Sequence, residues 1–325
     1  MELELLHHYT TSTCYTISRH PVVQTIFRIN VPQLGFTSQF VMHALLAISA
    51  LHIARFKPEH EAAYFSRAIV FHEMAMRDVA RILPHVTQDN CAALYVFSVL
   101  TCVIPCAKPR RGRDFLLMGD GGISEWLIAF RGTRSIVESA SEMLLNSPIA
   151  AIFSDGVRKT QRREAFTAKK HPYLLNLYQL LDEATTSQEI LETYKSAVDE
   201  LCKSFEAVFE PAMQGFESSD VFFWLFRVSG DYLTLLAARE PLALIIFAHF
   251  CVLLKQLEWT WWMEGWSNHL LFRIYNSVCS EYRPWLQWPI EQIGWVPQDV
   301  RDPQNSLMMD AARQPRYSSQ NVMST

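Results

Sequence analysis

Residues 241–266 read PLALIIFAHFCVLLKQLEWTWWMEGW. A nearly unbroken apolar run leads into four tryptophans within eight residues, Trp259, Trp261, Trp262 and Trp266. Two structures fit such a run, a membrane anchor with an aromatic belt or a buried helix of a water-soluble fold. Leu242–Leu254 is only 13 residues long, contains His249 and is closed by Lys255. A bilayer span needs about 20 apolar residues. Length therefore decides for the buried helix, and no transmembrane segment is expected. Ala243, Phe247, Phe250, Leu254 and Leu257 fall at helical spacing, while Leu244, Ala248 and Cys251 fill another face. A helix that is apolar nearly all round is buried on several sides. Pro241 suits the first turn, where its missing amide hydrogen has no partner to lose.

Working outward, helical periodicity recurs along the chain. Thr37 or Ser38 is placed to cap QFVMHALLAISALHIARF, and Pro58 opens PEHEAAYFSRAIVFHEMAMRDVARIL. In the latter, Ala62, Phe65, Ile69, Met76, Val79 and Ile82 recur at threes, fours and sevens. TQDNCAALYVFSVLTCVI is read as capped by Thr87 and ended before Pro105. FLLMGDGGISEWLIAFRGTRSIVESASEML reads as two helical pieces broken near Gly119–Gly122. SQEILETYKSAVDELCKSFEAVF and SSDVFFWLFRVSGDYLTLLAARE add two more helices, and NHLLFRIYNSVCS is the last periodic segment. Trp224 and Phe223 are assigned to the core. No run alternates like a strand. The expected fold is all-α, with one domain over residues 1–300 and a disordered tail at 301–325. Residues 106–113 read as a basic loop, and 154–171 as a basic connector that is either a solvated loop, a localisation signal or a phosphate-contacting patch.

The chain has 325 residues, half of them hydrophobic and 19% charged, with a net charge of −4. That balance gives no global attraction to nucleic acid. Seven cysteines are scattered without a secretory leader before them, which suits a reducing intracellular compartment and core packing.

Four segments in order, LELLHHYTTST, VPQLGFTSQFVMHALLAISALHIARF, FLLMGDGGISEWLIAFRGTRSI and EPLALIIFAHFCVLLKQLEWTWWMEGWSNHLL, resemble the C-terminal regulatory domain of fungal zinc-cluster transcription factors. The branch most similar includes the sterol uptake control proteins. The resemblance runs from about Leu3 to Pro297. It implies an α-helical domain that binds a hydrophobic effector, ergosterol in the sterol-responsive members, and that restrains a factor shuttling from cytoplasm to nucleus. It also implies a ligand pocket beside a glycine-containing turn, which here is Trp261–Trp266. The zinc-cluster module, with six cysteines opening at C-x2-C spacing, has no counterpart in these residues. DNA contact is thus expected only indirectly or through a module outside this chain, and this is either the regulatory part of a factor or a finger-less relative.

A rigid apolar ligand needs flat apolar walls and one or two polar groups for a hydroxyl. The candidate lining is Trp259, Trp261, Trp262, Gly265, Trp266 and His269, with Glu264 a second polar candidate. The plain alternative is that these indoles pack between helices. No metal site or cofactor is expected. Cys102 and Cys106 lack a partner pair for zinc, and adjacent His7 and His8 do not easily face one ion. His43 and His52 read as satisfied core histidines, and His72-Glu73 lacks the second histidine of a zinc-protease helix. Gly119-Asp120-Gly121-Gly122 lacks the context of a phosphate loop. No catalytic residues are assigned, although Glu125, Arg131, Asp231 and Glu240 stand among apolar residues and are expected to pair in the interior. The function expected is regulation of lipid or secondary-metabolite genes by a lipophilic effector, with a homodimer as one assembly. The alternative is a finger-less relative acting on a terpenoid or polyketide substrate.

Overall fold

Every side chain from Leu242 to Leu254 is buried. His249 fits among them because its Nδ1–H donates to the Ile245 carbonyl at 2.9 Å and its ring stacks on Trp288 at 5.4 Å between centroids. Burial holds its pKa down at about 4, so the ring stays neutral. The run that opened the question is a core helix.

The computed structural model describes residues 1–110, 115–119, 122–165, 171–184, 187–209 and 216–297, and the expected tail at 301–325 lies outside them. In chain order the helices are α1 Glu2–Thr11, α2 Pro21–Thr37, α3 Gln39–Phe56, α4 Glu61–Ile82, α5 Cys91–Ala107, α6 Glu125–Leu145, α7 Ala150–Ala165, α8 Leu175–Ala184, α9 Gln188–Phe209, α10 Ser218–Arg227, α11 Gly230–Ala237, α12 Pro241–Lys255, α13 Trp266–Ser277 and α14 Gln287–Ile293. Among the described residues the fold is all-α apart from one antiparallel pair, β1 Met118–Gly119 with β2 Gly122–Ile123. α3 lies among α1, α2, α4 and α5, while α12 lies among α9, α11, α13 and α14. One contiguous apolar core joins the two groups. Among the described residues, α3 alone is long and apolar enough to cross a membrane by itself, and 72% of that window is buried by protein. α11 and α12 would qualify only as a pair, and they meet at 104°.

Several local expectations are corrected. On α4 the buried stripe is Ala68, Phe71, Ala75 and Val79, and Ala62 is exposed. α3 and α4 form the most extensive helix pair in the fold. α5 does not stop before Pro105 but carries it in its last turn. The segment expected as one helix over 218–240 is two, because Ser229 takes an extended conformation and its Oγ accepts the Tyr232 amide at 3.1 Å. That is ordinary N-cap chemistry for serine. Phe115–Met118 is buried but not helical, and Gly119 and Gly122 lie in the small hairpin instead of a helix break.

The basic connector is also corrected. Residues 154–165 form most of α7, and 166–170 lie outside the described residues. Much of its charge is used internally. Arg158 pairs with Asp155, Lys159 reaches Asp220 at 2.9 Å, and Arg163 is only 3% exposed. Arg163 donates to Ser204 Oγ at 2.8 Å and to the Asp220 carbonyl at 3.2 Å, and its guanidinium lies over Phe223. Burial lowers its pKa to about 10 against the favourable charges of Glu200 and Asp220. The helix is pinned to α9 and α10 by the residues that made it look like a free basic patch.

Trp224 is fully buried, as expected, whereas Phe223 is only partly so. The Trp224 indole stacks on Phe250 at 4.4 Å and its Nε1–H donates to the Ala197 carbonyl at 2.9 Å, so one side chain joins α10, α12 and α9. Trp224→Ala is expected to cost about 3–5 kcal/mol, the usual range for deleting a buried large aromatic. Urea unfolding monitored by circular dichroism measures it.

Candidate functional site

Beyond Lys255 the chain turns from α12 into α13 through the tryptophan-rich segment 256–265. Glu258 closes the base of this turn by bridging Lys255 Nζ, at 2.6 Å, and the hydroxyl of the buried Ser267 in the first turn of α13, at 2.5 Å. Thr260 folds its own hydroxyl back onto the Leu257 carbonyl at 2.9 Å. With the ends tied, the indoles project in different directions. Trp261 Nε1–H donates to Thr16 Oγ1 at 2.9 Å and Trp262 Nε1–H to the Thr16 carbonyl at 3.4 Å. Trp266 Nε1–H donates to the Cys106 carbonyl, at the end of α5, at 2.7 Å. Trp262 and Trp266 are 1% and 3% exposed, so these bonds satisfy donors that water does not reach.

Trp259 differs. Its Nε1 is buried without a hydrogen-bond partner among the described residues, and the Arg19 guanidinium covers its ring at 3.8 Å from the centroid. His269 stands edge-on to Trp266 with centroids 5.7 Å apart, and Trp262 stacks on Phe222 of α10 at 6.0 Å. The six residues selected from the sequence are therefore near one another in the chain, but their indoles serve three different neighbours. Trp261 and Trp262 face the N-terminal segment, Trp266 faces α5, and Trp259 lies under Arg19.

Gly265 precedes α13 with φ of +75°, a left-handed conformation that glycine adopts at little steric cost. A Cβ there would lie 2.9 Å from Arg110 Nη2. Arg110 uses that space to donate to the Glu264 carbonyl while covering the Trp266 ring. The Glu264 carboxylate pairs with Arg55 at the end of α3. The turn is thus contacted by Arg55 of α3 and by Arg110, which lies just beyond α5.

Below Trp261 lies His52, stacked on the indole at 4.9 Å between centroids. Its Nδ1 is 3.0 Å from Thr13 Oγ1 and 3.1 Å from His8 Nε2. Burial, helped by the nearby His8, lowers the His52 pKa to about 4. His52 is therefore a satisfied core histidine. His43 has a different neighbour, Asp78 on α4 at 3.8 Å. His72 is held near pKa 4 by burial and then by the charge of Lys108.

Of the charges expected to pair in the interior, Asp231 and Glu240 are exposed at the starts of α11 and α12, where a carboxylate suits the helix dipole. Arg131 does reach inward and donates to the Leu225 carbonyl at 2.9 Å. The side chain of Glu125 lies outside the described residues. All seven cysteines are free thiols, six of them buried. Among the described residues no group of three or more His, Cys, Asp or Glu is arranged to hold a metal ion.

Sequence reasoning missed Thr16, Arg19, Arg55, Arg110 and His52 as partners of the turn. They lie 150 or more residues away, and nothing local marks them.

The family model for the fungal specific transcription factor domain matches residues 4–204. The chain belongs to that family. It is similar to a Zn(2)-C6 fungal-type transcription factor of Gibberella zeae, 24% identical over 92% of this chain and 64% of the relative. It is also similar to the Zn(2)-C6 fungal-type transcription factor afumD of Aspergillus fumigatus, 23% identical over 78% of this chain and 67% of that protein. Sterol uptake control protein 2 of Saccharomyces cerevisiae is 28% identical over 42% of this chain and 15% of its own length. The chain thus spans about two-thirds of the length of the first two relatives.

Two outcomes are expected from this geometry. Gly265→Ala should destabilise the fold by about 1–2 kcal/mol, from the left-handed backbone and the Arg110 contact together. Adding Arg110→Ala should remove only the contact share, so a thermodynamic cycle on the two variants shows non-additivity. For pH, His52, His72 and His249 each have a folded pKa near 4 against an ordinary 6.5. Between those values the unfolded chain binds protons that the folded chain does not. Stability therefore falls as pH drops from 6.5 towards 4, by about 1.4 kcal/mol per pH unit for each histidine. His249→Leu should flatten the measured slope by one proton.

Proposed function

We propose that this chain is the effector-sensing domain of a fungal transcriptional regulator, and that the effector is a hydroxylated lipophile of sterol type taken up beside the tryptophan turn. One observation carries the reading. The buried Trp259 indole N–H lacks a partner among the described residues, within a turn rich in aromatic side chains. A buried donor left unpaired costs about 1–3 kcal/mol. A ligand hydroxyl that accepted this hydrogen bond would recover that cost, while the ligand's apolar body would take the place of the Arg19 guanidinium on the Trp259 ring.

The position of the turn explains how occupancy would be felt elsewhere. Residues 259–266 contact the N-terminal segment through Thr16, α3 through Arg55, α5 through Cys106, and the chain just beyond α5 through Arg110. A guest that displaced one indole would loosen helices far apart in sequence. The likeness to a sterol uptake control protein supports the choice of ligand class. In this reading the protein works in the nucleus, with effector-controlled entry from the cytoplasm, on lipid or secondary-metabolite genes. DNA is contacted by a module outside these residues.

Thermal unfolding with ergosterol in detergent micelles tests the proposal. A ligand at 100 times its dissociation constant adds about 2.7 kcal/mol of stability. The Trp259→Phe variant should keep the fold and bind about tenfold more weakly, because it keeps the ring and removes the donor. No stabilisation by ergosterol or by other hydroxylated lipophiles of that size rejects the sensor reading.

A further inference from the structure

Single arginines lie over aromatic rings at several places in this fold, Arg67 on Phe71 and Arg283 on Tyr275 among them. Phe115 is different. The guanidiniums of Arg239, between α11 and α12, and of Arg273, on α13, each lie 5.1 Å from its ring centroid. The two are therefore no farther apart than twice that distance. Neither has an ion-pair partner among the described residues, and Glu240, next to Arg239 in sequence, pairs with neither. The Nε of Arg273 is buried without a hydrogen-bond partner among those residues. The whole chain carries a net charge of −4, so the pair does not reflect a general excess of basic residues. Like charges gathered without a counter-charge repel, and water screens them less beside a buried ring than in the open.

The backbone at the same place is strained. Leu116 and Arg239 have φ of +60° and +61°, and among the described residues they are the only ones besides glycine at positive φ. One adjoins Phe115 and the other covers it. The Leu117 amide donates to the Phe115 carbonyl at 2.6 Å, which closes a three-residue turn around Leu116. A γ-turn with positive φ at its centre is rare and strained. Neighbours hold it in place, since Trp126 Nε1–H and Ser124 Oγ–H donate to the Leu116 carbonyl at 2.7 and 2.9 Å. Strain of this kind persists where the surroundings over-determine it, and it clusters at ligand sites.

We propose that Arg239 and Arg273 together bind the dianion of a phosphate monoester. The planar fork of a guanidinium matches phosphate oxygens in pairs. A monoester brings nearly two negative charges, one for each arginine. A carboxylate brings one and leaves the second guanidinium without a counter-charge. Phe115 is 1% exposed, so the anion meets the guanidiniums while the ring fixes their positions from beneath. The monoester belongs either to a small phosphorylated molecule or to a phosphorylated side chain of a partner, which share this chemistry. The site does not rest on the effector proposal. Arg273 lies seven residues beyond Trp266, about 10 Å along α13.

Isothermal titration of the full chain with phenyl phosphate, at constant ionic strength, tests this. One saturable site is expected, with acetate binding at least tenfold more weakly. Arg239→Gln and Arg273→Gln should each weaken phenyl phosphate at least tenfold. Arg239 is exposed, so its variant should keep the thermal midpoint of the unaltered chain. A second readout needs no variant. Phenyl phosphate should slow modification of Arg239 by phenylglyoxal at least fivefold, measured by mass spectrometry against the exposed Arg77. A phosphoserine pentapeptide in the same titration separates the two sources. Tighter binding than phenyl phosphate assigns the group to a partner's side chain, and equal or weaker binding assigns it to a small molecule. Absence of saturable binding by either compound up to tens of millimolar overturns the proposal. So does acetate binding as tightly as phenyl phosphate, an affinity that both substitutions leave unmoved, or modification of Arg239 that phenyl phosphate does not slow.

Discussion

Three hydrogen bonds from indole nitrogens tie the tryptophan turn to the N-terminal segment and to the end of α5. Trp261 and Trp262 donate to Thr16, and Trp266 donates to the carbonyl of Cys106. Each bond is modest in isolation, about 0.5–1.5 kcal/mol net. Their importance lies in what breaking them would leave, namely buried donors and acceptors without partners. The α3 group and the α12 group share a core, and the turn is where polar contacts are added to apolar packing. Arg55 and Arg110 reinforce it from outside, and Gly265 is the backbone concession that lets Arg110 in.

Because the turn is built from contacts between distant segments, its behaviour depends on all of them. His52 illustrates the point. It is a neutral, buried base between Trp261 and the His8–Thr13 pair. A change that moves α1 moves His52, and with it the indole above. Coupling of this kind needs no continuous wire, only an element with two arrangements whose balance both sites affect.

The helices were legible wherever local pattern suffices. α12 could be read from the length and composition of one run, and α9 from its amphipathic period. Readings went astray where a tertiary partner overrode the pattern. The stripe on α4 is offset from the sequence reading, with Ala68, Phe71, Ala75 and Val79 turned into the core. The basic run in α7 is helical because Asp155, Asp220 and Ser204 receive its charges. Ser229 carried a cap signal inside what looked like one long helix. For the candidate site, residue types and the glycine turn were legible, but the neighbours were not. Thr16 is 245 residues from Trp261, and no spacing rule reaches that far.

The family model ends at residue 204, yet α12 begins at 241. α9, which straddles that edge, buries Tyr194, Val198, Leu201 and Phe205, and it packs on α12. The unit that folds is therefore larger than the unit that is recognised. During synthesis the ribosome releases α9 well before its partner helix, so the nascent chain carries an uncovered greasy face until the last third emerges. A gene cut at the recognised boundary would make that transient exposure permanent, and its product would be a substrate for chaperones rather than a domain.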